Sequence, residues 1–299
     1  MKSKKVALIG PTAWALWNIN YFVRENLDEL GYDVRMFSWE DSKDMAKGLD
    51  WCDVFISEVS TFNKLSDDHR RKGMFCWHHL ANINEDPLSE EARVKHFTTL
   101  IDVSDEFKDH FFATTTDIAD SVEAYYGIRP RLLPVGADTA FWKKRDIGKI
   151  NKLGFVAASN NSKGYTVVKR PEMFQEIADK AELDRVTLNG MSMLCGTAIY
   201  KDADMVICTS VSEGHPMAVF ESTMAKIPFI STDVGVVKEF PSIRTFSTAD
   251  EAVEIINDLN SDPEKLKRYV DDVYEDVSSK RDWMEIINKY YVPVIEEIG

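Results

Sequence analysis

Short runs rich in β-branched and aromatic residues alternate with stretches of helical spacing along this chain, and that alternation restricts its fold more than any other feature. Candidate strands fall at Val6–Ile9, Val34–Phe37, Val54–Ile56, Met74–Trp77, Phe111–Thr114 and Arg131–Pro134. Near-continuous apolar runs too short for helices suit strands buried on both faces, as in a parallel sheet covered by helices. The helical stretches carry their own stops. Leu16 to Leu30 ends at Gly31, and Asp117–Tyr126 ends at Gly127, the residue type that best tolerates a left-handed helix terminus. The pattern predicts an α/β protein built from βαβ units.

Between Asp138 and Lys152 the composition turns basic and polar, which marks a domain boundary. The alternation then restarts, with strands at Leu153–Ala158, Val186–Leu188, Met205–Thr209 and Phe229–Ser231. Pro171 opens a helix to about Ala181, Thr248 with Glu251 forms a capping box before Ala252–Leu259, and Asp262–Pro263 opens another helix. Trp283 to Ile298 reads as one long amphipathic pattern. Two consecutive doubly wound units imply a cleft at the carboxyl edges of their sheets, where helix N-termini direct amides at phosphates.

Charge and cysteine usage remove several function classes. The 299 residues carry a net charge of −14, so the Lys/Arg footprint of general nucleic-acid binding is missing. Local clusters at His69–Lys72 and Lys143–Arg145 read as solvated loops. No apolar run reaches the ~18–20 residues of a membrane span. The opening Met1–Lys5 followed by Val6–Ile9 reads as a first strand, not a cleaved leader, which predicts a cytoplasmic protein. Cys52, Cys76, Cys195 and Cys208 lack metal-site spacing and read as buried, reduced thiols.

The run from Thr209 to Gly235 carries the chemistry. A strand ends near Ser210, and a loop containing Glu213, Gly214 and His215 delivers Pro216 to a helix start at Met217 and Ala218. Glu221 follows on that helix, eight positions after Glu213. Backbone amides at such a start suit a diphosphate, and flanking carboxylates suit sugar or ribose hydroxyls.

This run resembles the E-x7-E signature of the family-four retaining glycosyltransferases, with matching pieces at Tyr200–Asp204, Ala225–Pro228 and Asp233–Gly235. The resemblance implies the GT-B fold, two Rossmann-like domains facing a cleft, with the last helix crossing back to the first. The implied boundaries are residues 1–145 plus 281–299 for the acceptor side and 146–280 for the nucleotide-sugar side. It implies Glu213 at the donor sugar and Glu221 on the ribose. By the same resemblance Lys169, with Lys163 near the family's arginine position and Arg170 beside it, would neutralise the departing diphosphate. His78, better aligned than His79, matches a family histidine near the sugar, a packed histidine being the alternative. Gly10 alone survives from the family's Gly-Gly pair after the first strand, and Val135 stands where the family has Asn. Trp14 and Trp17 read as core of the first helix, with stacking on an acceptor the alternative.

The expected reaction is transfer of a sugar from a nucleotide-diphosphate sugar, most commonly a UDP-sugar, to an acceptor hydroxyl. Retention of configuration is implied, with no cofactor and no metal. The acceptor stays open among glycan, lipid, small molecule and modified nucleic-acid base. Asp202 and Asp204 mimic a D-x-D metal motif but directly precede a strand, and no G-x-G-x-x-G follows the first strand. The rival readings are a nucleotide-sugar epimerase or hydrolase on the same scaffold and a non-catalytic nucleotide-sugar-binding protein.

Overall fold

The structure, a computed structural model, describes residues 3–12, 14–78, 105–156, 168–188 and 200–299. The chain divides into two compact units, residues 1–80 with 93–136 and 283–299, and residues 81–92 with 137–282.

In the first unit six parallel strands are described: β1 (Lys5–Gly10), β2 (Asp33–Ser38), β3 (Val54–Glu58), β4 (Gly73–Trp77), β5 (Phe111–Ala113) and β6 (Arg131–Leu132). Their order is β2-β1-β3-β4-β5-β6, so the winding reverses between β1 and β3. Strands β1, β3 and β4 are almost wholly buried, which explains their unbroken apolar sequence. An aromatic cluster packs on this sheet: Phe62 meets Phe75 at 4.9 Å and Phe111 at 5.0 Å, and Trp77 meets Phe111 at 5.3 Å between ring centroids. Helix α1 (Trp14–Glu29) is followed by Gly31 at φ +90°, and Ser42–Trp51 forms α2 where the sequence analysis assigns no element. Asp41 caps α2 by accepting from the amides of Lys43 and Asp44. The basic cluster after the short helix α3 (Asp67–Arg70) is internally neutralised, Arg70 pairing with Asp67 and Arg71 with Asp68 and Glu106.

Helix α4 (Thr116–Tyr126) has Thr115 as its cap and Gly127 at φ +69° as its stop. The chain's last stretch belongs to this unit. The expected helical stretch runs without a gap but changes its bonding: α5 (Trp283–Ile286) passes through a π-helical turn, Ile287–Tyr291, into α6 (Val292–Ile298). Pro293 has no N–H for the carbonyl four residues back, and the widened turn bonds Val292 N to Ile287 O. Trp283 stacks on Phe22, Tyr291 Oη donates to the Pro134 carbonyl at 3.2 Å, and Arg131 pairs with Glu297 at 2.8 Å.

In the second unit four parallel strands are described, ordered β10-β9-β7-β8: β7 (Lys152–Val156), β8 (Asp184–Leu188), β9 (Met205–Cys208) and β10 (Phe229–Ser231). Winding reverses between β7 and β9. Helix α7 (Pro171–Lys180) stacks Phe174 on Phe155 with centroids 4.8 Å apart. Helices α8 (Met217–Met224), α9 (Ala249–Asn260) and α10 (Pro263–Arg281) also belong to this unit. Thr248 accepts from Glu251 N as a capping box requires, but the Glu251 carboxylate takes the amide of Ser247 and not that of Thr248. Among the described residues no helix is long and apolar enough to cross a membrane.

Gly136 is buried against Trp283, and a Cβ there would overlap the indole ring. Gly136→Ala should therefore destabilise the first unit by about 1–3 kcal/mol, the usual cost of overpacking. Denaturant unfolding followed by Trp fluorescence checks this, and an unchanged midpoint would refute the packing.

Candidate active site

Ligands of doubly wound sheets bind at the carboxyl ends of strands where the winding reverses. In the second unit that point lies between β7 and β9, and Lys169, Arg170 and Glu213 are brought together beside it. The loop after β9 is laced to the turn before α7. Val211 N donates to Val168 O at 2.8 Å, and the Thr209 hydroxyl reaches the carbonyls of Lys169 at 2.6 Å and Arg170 at 3.1 Å. Arg170 returns a bond from Nε to the Thr209 carbonyl at 2.6 Å. It holds a left-handed conformation (φ 48°, ψ 59°) directly before Pro171, a costly position for a non-glycine residue. Burial pushes its guanidinium pKa down. Arg170 thus braces the turn that presents its neighbour Lys169.

Lys169 Nζ forms a close ion pair with Glu213, both side chains largely shielded from solvent. The Ser210 hydroxyl donates to the same Glu213 oxygen at 2.6 Å, and Ser210 O accepts from the Thr232 hydroxyl at 2.5 Å. Gly214 and Gly235 are stacked: Val236 N donates to Gly214 O at 2.9 Å, and a Cβ on Gly235, which sits at φ +50°, would overlap the carbonyls of Glu213 and Gly214. Glycine at 235 is thus required by both conformation and space. His215 lies against Phe220, with ring centroids 6.1 Å apart. Pro216 precedes α8, whose N-terminus no side chain caps, so the amides of the first-turn residues Met217 and Ala218 stand at the positive end of the helix dipole.

Glu221 lies one turn further along α8. The Tyr200 hydroxyl donates to its Oε2 at 2.6 Å. Burial raises the Glu221 pKa, and the Tyr200 bond lowers it in part. Tyr200 is itself only 3% exposed, its pKa raised well above 10, first by burial and then by the charge of Glu221.

Sequence reasoning singled out neither Ser210 nor the Tyr200 hydroxyl, because both act on partners chosen by tertiary packing. It also assigned Arg145 to a solvated cluster, whereas that side chain donates to the carbonyls of Tyr200 and Ala203 and pairs with Asp204 at 3.3 Å. Asp204 additionally accepts from the amides of Asn151 and Lys152 at 3.1 Å, a structural task for this half of the D-x-D look-alike. Among the described residues no group of three or more His, Cys, Asp or Glu side chains is placed to hold a metal.

In the first unit His78 follows Trp77 at the end of β4, half-buried, where Thr114 N and Oγ1 both donate to the Trp77 carbonyl. Gly10 ends β1; its carbonyl accepts from Trp39 N at 3.1 Å, and the Asn20 amide fills the space a Cβ would need. Thr12 nearby donates its hydroxyl to Glu40 at 2.8 Å. Trp17 is half-buried on α1. Lys163, His79 and Cys195 lie outside the described residues.

Residues 167–286 match the family described as glycosyl transferases group 1. The fold is shared with sucrose-phosphate synthase from Thermosynechococcus elongatus (TM-score 0.69, 11% identity, covering 99% of each chain). It is shared with Anabaena HepE, solved with UDP and glucose (0.70, 13%, 98% of this chain and 100% of that one). A UDP-forming α,α-trehalose-phosphate synthase from Burkholderia xenovorans is also similar (0.65, 10%, 99% of each chain). No curated protein sequence matches. The fold is that of the GT-B glycosyltransferases, with two Rossmann-like domains. The residues that match the group 1 family span the Lys169–Glu213 pair and Glu221.

Burial of Glu221 has a signed consequence for stability. A carboxyl whose pKa is raised in the folded protein is disfavoured in its charged form, a penalty that sets in as pH rises from the ordinary 4.5 through the raised value. Glu221→Gln keeps an oxygen for Tyr200 and removes the charge. The variant should melt at higher temperature than the parent near about pH 8, with the gap narrowing toward about pH 5. A gap that widens on acidification would contradict the burial.

Proposed function

We propose that this enzyme transfers a sugar from a UDP-sugar to an acceptor hydroxyl, with retained anomeric configuration and without a divalent metal. The observation that carries the proposal is the arrangement of Lys169, Glu213 and Ser210 beside the uncapped N-terminus of α8. A cation and a row of helix amides suit the two charges of a leaving diphosphate, an electrostatic contribution that needs no metal. HepE, solved with UDP and glucose, and the UDP-forming trehalose-phosphate synthase support uridine as the base.

In this reading the diphosphate occupies the amides of Met217 and Ala218 with Gly214, His215 and Pro216 shaping the loop. Lys169 turns from Glu213 to the phosphate, and Glu213 takes the hydroxyls of the transferring sugar. Glu221 holds the ribose. Arg170 keeps Lys169 in place. The bond from the anomeric carbon to the phosphate oxygen breaks and the bond to the acceptor oxygen forms, while the acceptor's proton passes to the leaving phosphate. We assign His78 and Gly10 to the donor as well, on the resemblance alone. The reading places the enzyme in the cytoplasm, in keeping with the free, buried thiols of Cys52, Cys76 and Cys208.

A thermal-shift panel of nucleotide-sugars followed by mass spectrometry of products tests the function. UDP-sugars should stabilise the protein, and a sugar conjugate should form with an acceptor library in excess EDTA. Free sugar alone marks a hydrolase, a new nucleotide-sugar marks an epimerase, and no turnover marks a binding protein. Loss of activity that is restored only by added metal would overturn the metal-free reading.

Contacts made to the transferring sugar should tighten in the transition state and so govern kcat more than nucleotide affinity. Glu213→Gln and His78→Ala should therefore bind free UDP like the parent and turn over at least ~10-fold more slowly, about 1.4 kcal/mol of barrier. Equal losses in UDP affinity, measured by calorimetry, would move these residues onto the diphosphate.

A further inference from the structure

We infer that Tyr200 is a positioning residue for nucleotide recognition: its hydroxyl orients the Glu221 carboxylate so that one oxygen faces the donor ribose. The inference rests on the proposed ribose role of Glu221 and extends it to a residue twenty-one positions earlier. Tyr200 lies in a helical turn before β9, and Oη donates to Glu221 Oε2 at 2.6 Å. An ionised carboxylate has two equivalent oxygens, and a buried donor fixed on one of them removes the rotational choice. Ribose presents two neighbouring hydroxyls, so the orientation of the second oxygen decides whether they are met.

Tyr200 is itself held by two residues of the segment before β7. Trp142 packs edge-on to the Tyr200 ring with centroids 5.1 Å apart. Arg145 donates to the Tyr200 carbonyl at 3.3 Å and to that of Ala203, and its ion pair with Asp204 ties this turn to the start of β7 through Asn151 and Lys152. The polar, basic segment before β7 therefore supports the proposed ribose site. Its Trp and Arg brace a tyrosine, and the tyrosine aims a carboxylate. A hydroxyl kept for packing alone would not need to end on the side chain of α8 that the reading assigns to the ribose.

The test uses the whole protein and calorimetric binding of UDP, ADP and GDP, each beside its 2′-deoxy form. The parent should prefer at least one ribonucleotide over its deoxy form by roughly 10-fold, and Glu221→Ala should abolish that preference. Tyr200→Phe keeps the ring against Trp142 and removes only the donor. It should bind the deoxy form like the parent and the ribonucleotide roughly 3–10-fold more weakly, the range for one lost hydrogen bond. If Glu221→Ala abolishes the preference and Tyr200→Phe retains it, the positioning role is wrong while the ribose reading stands. If Tyr200→Phe weakens both nucleotides equally, Tyr200 is structural and the inference fails. If the parent shows no preference, or Glu221→Ala leaves it intact, the ribose reading fails and takes the inference with it. Parent protein that binds none of the six nucleotides has the same meaning.

Discussion

The candidate site depends on the lacing between the loop after β9 and the turn before α7. Parallel strands end with their backbone groups unpaired, and the segments that leave them need partners. Here Thr209 and Val211 supply those partners to Val168, Lys169 and Arg170, and Arg170 answers through its own guanidinium. Four bonds over a few residues hold Arg170 in a conformation that is unfavourable for it, and they do so beside a proline that narrows the alternatives. The direction of Lys169 and its meeting with Glu213 both follow from that local constraint.

The glycines extend the same logic. Gly235 can approach the carbonyls of Glu213 and Gly214 because it has no Cβ, and that approach lets the loop before α8 fold flat against the turn after β10. Thr232, from that second turn, closes on Ser210, which in turn touches Glu213. The catalytic carboxylate proposed here is therefore fixed from the β10 side by neutral hydroxyls and from the α7 side by a cation.

Much of this was legible in sequence, for physical reasons that differ by element. The strands were visible because burial on both faces demands uninterrupted apolar residues, and five of the six residues of β1 and all five of β4 are buried. Stops at Gly31 and Gly127 were visible because only a left-handed position makes glycine worth its flexibility. Glu213 and Glu221 stood out through a family resemblance in the run around them, a local pattern that a loop and the following helix carry. By contrast, α2 is short and polar overall, buries only Gly48 and Leu49, and starts at an ordinary Asp41 cap, so no strong signal marks it. The π turn before Pro293 hides because its apolar residues keep nearly helical spacing while the backbone bonding changes. Arg145 and Tyr200 were misjudged or passed over because their partners lie 55 or more and 21 positions away, and nothing in a local window names them.

The two carboxylates of the signature are partnered by different chemistry, and the difference suits different tasks. Glu213 faces a cation, Lys169, that a diphosphate can claim, so its environment changes when an anion arrives. Glu221 faces a neutral phenol whose own pKa is driven far above the working range, so Tyr200 stays a donor whether or not an anion is bound. A carboxylate held by a neutral group keeps its orientation through the reaction, as a ribose contact should, since it binds ground state and transition state alike. A carboxylate released as its cation moves to the phosphate becomes available only after the donor is seated. In the proposed mechanism the burial cost carried by Glu221 thus secures nucleotide recognition, and the ion pair of Glu213 delays sugar contact until the diphosphate is in place.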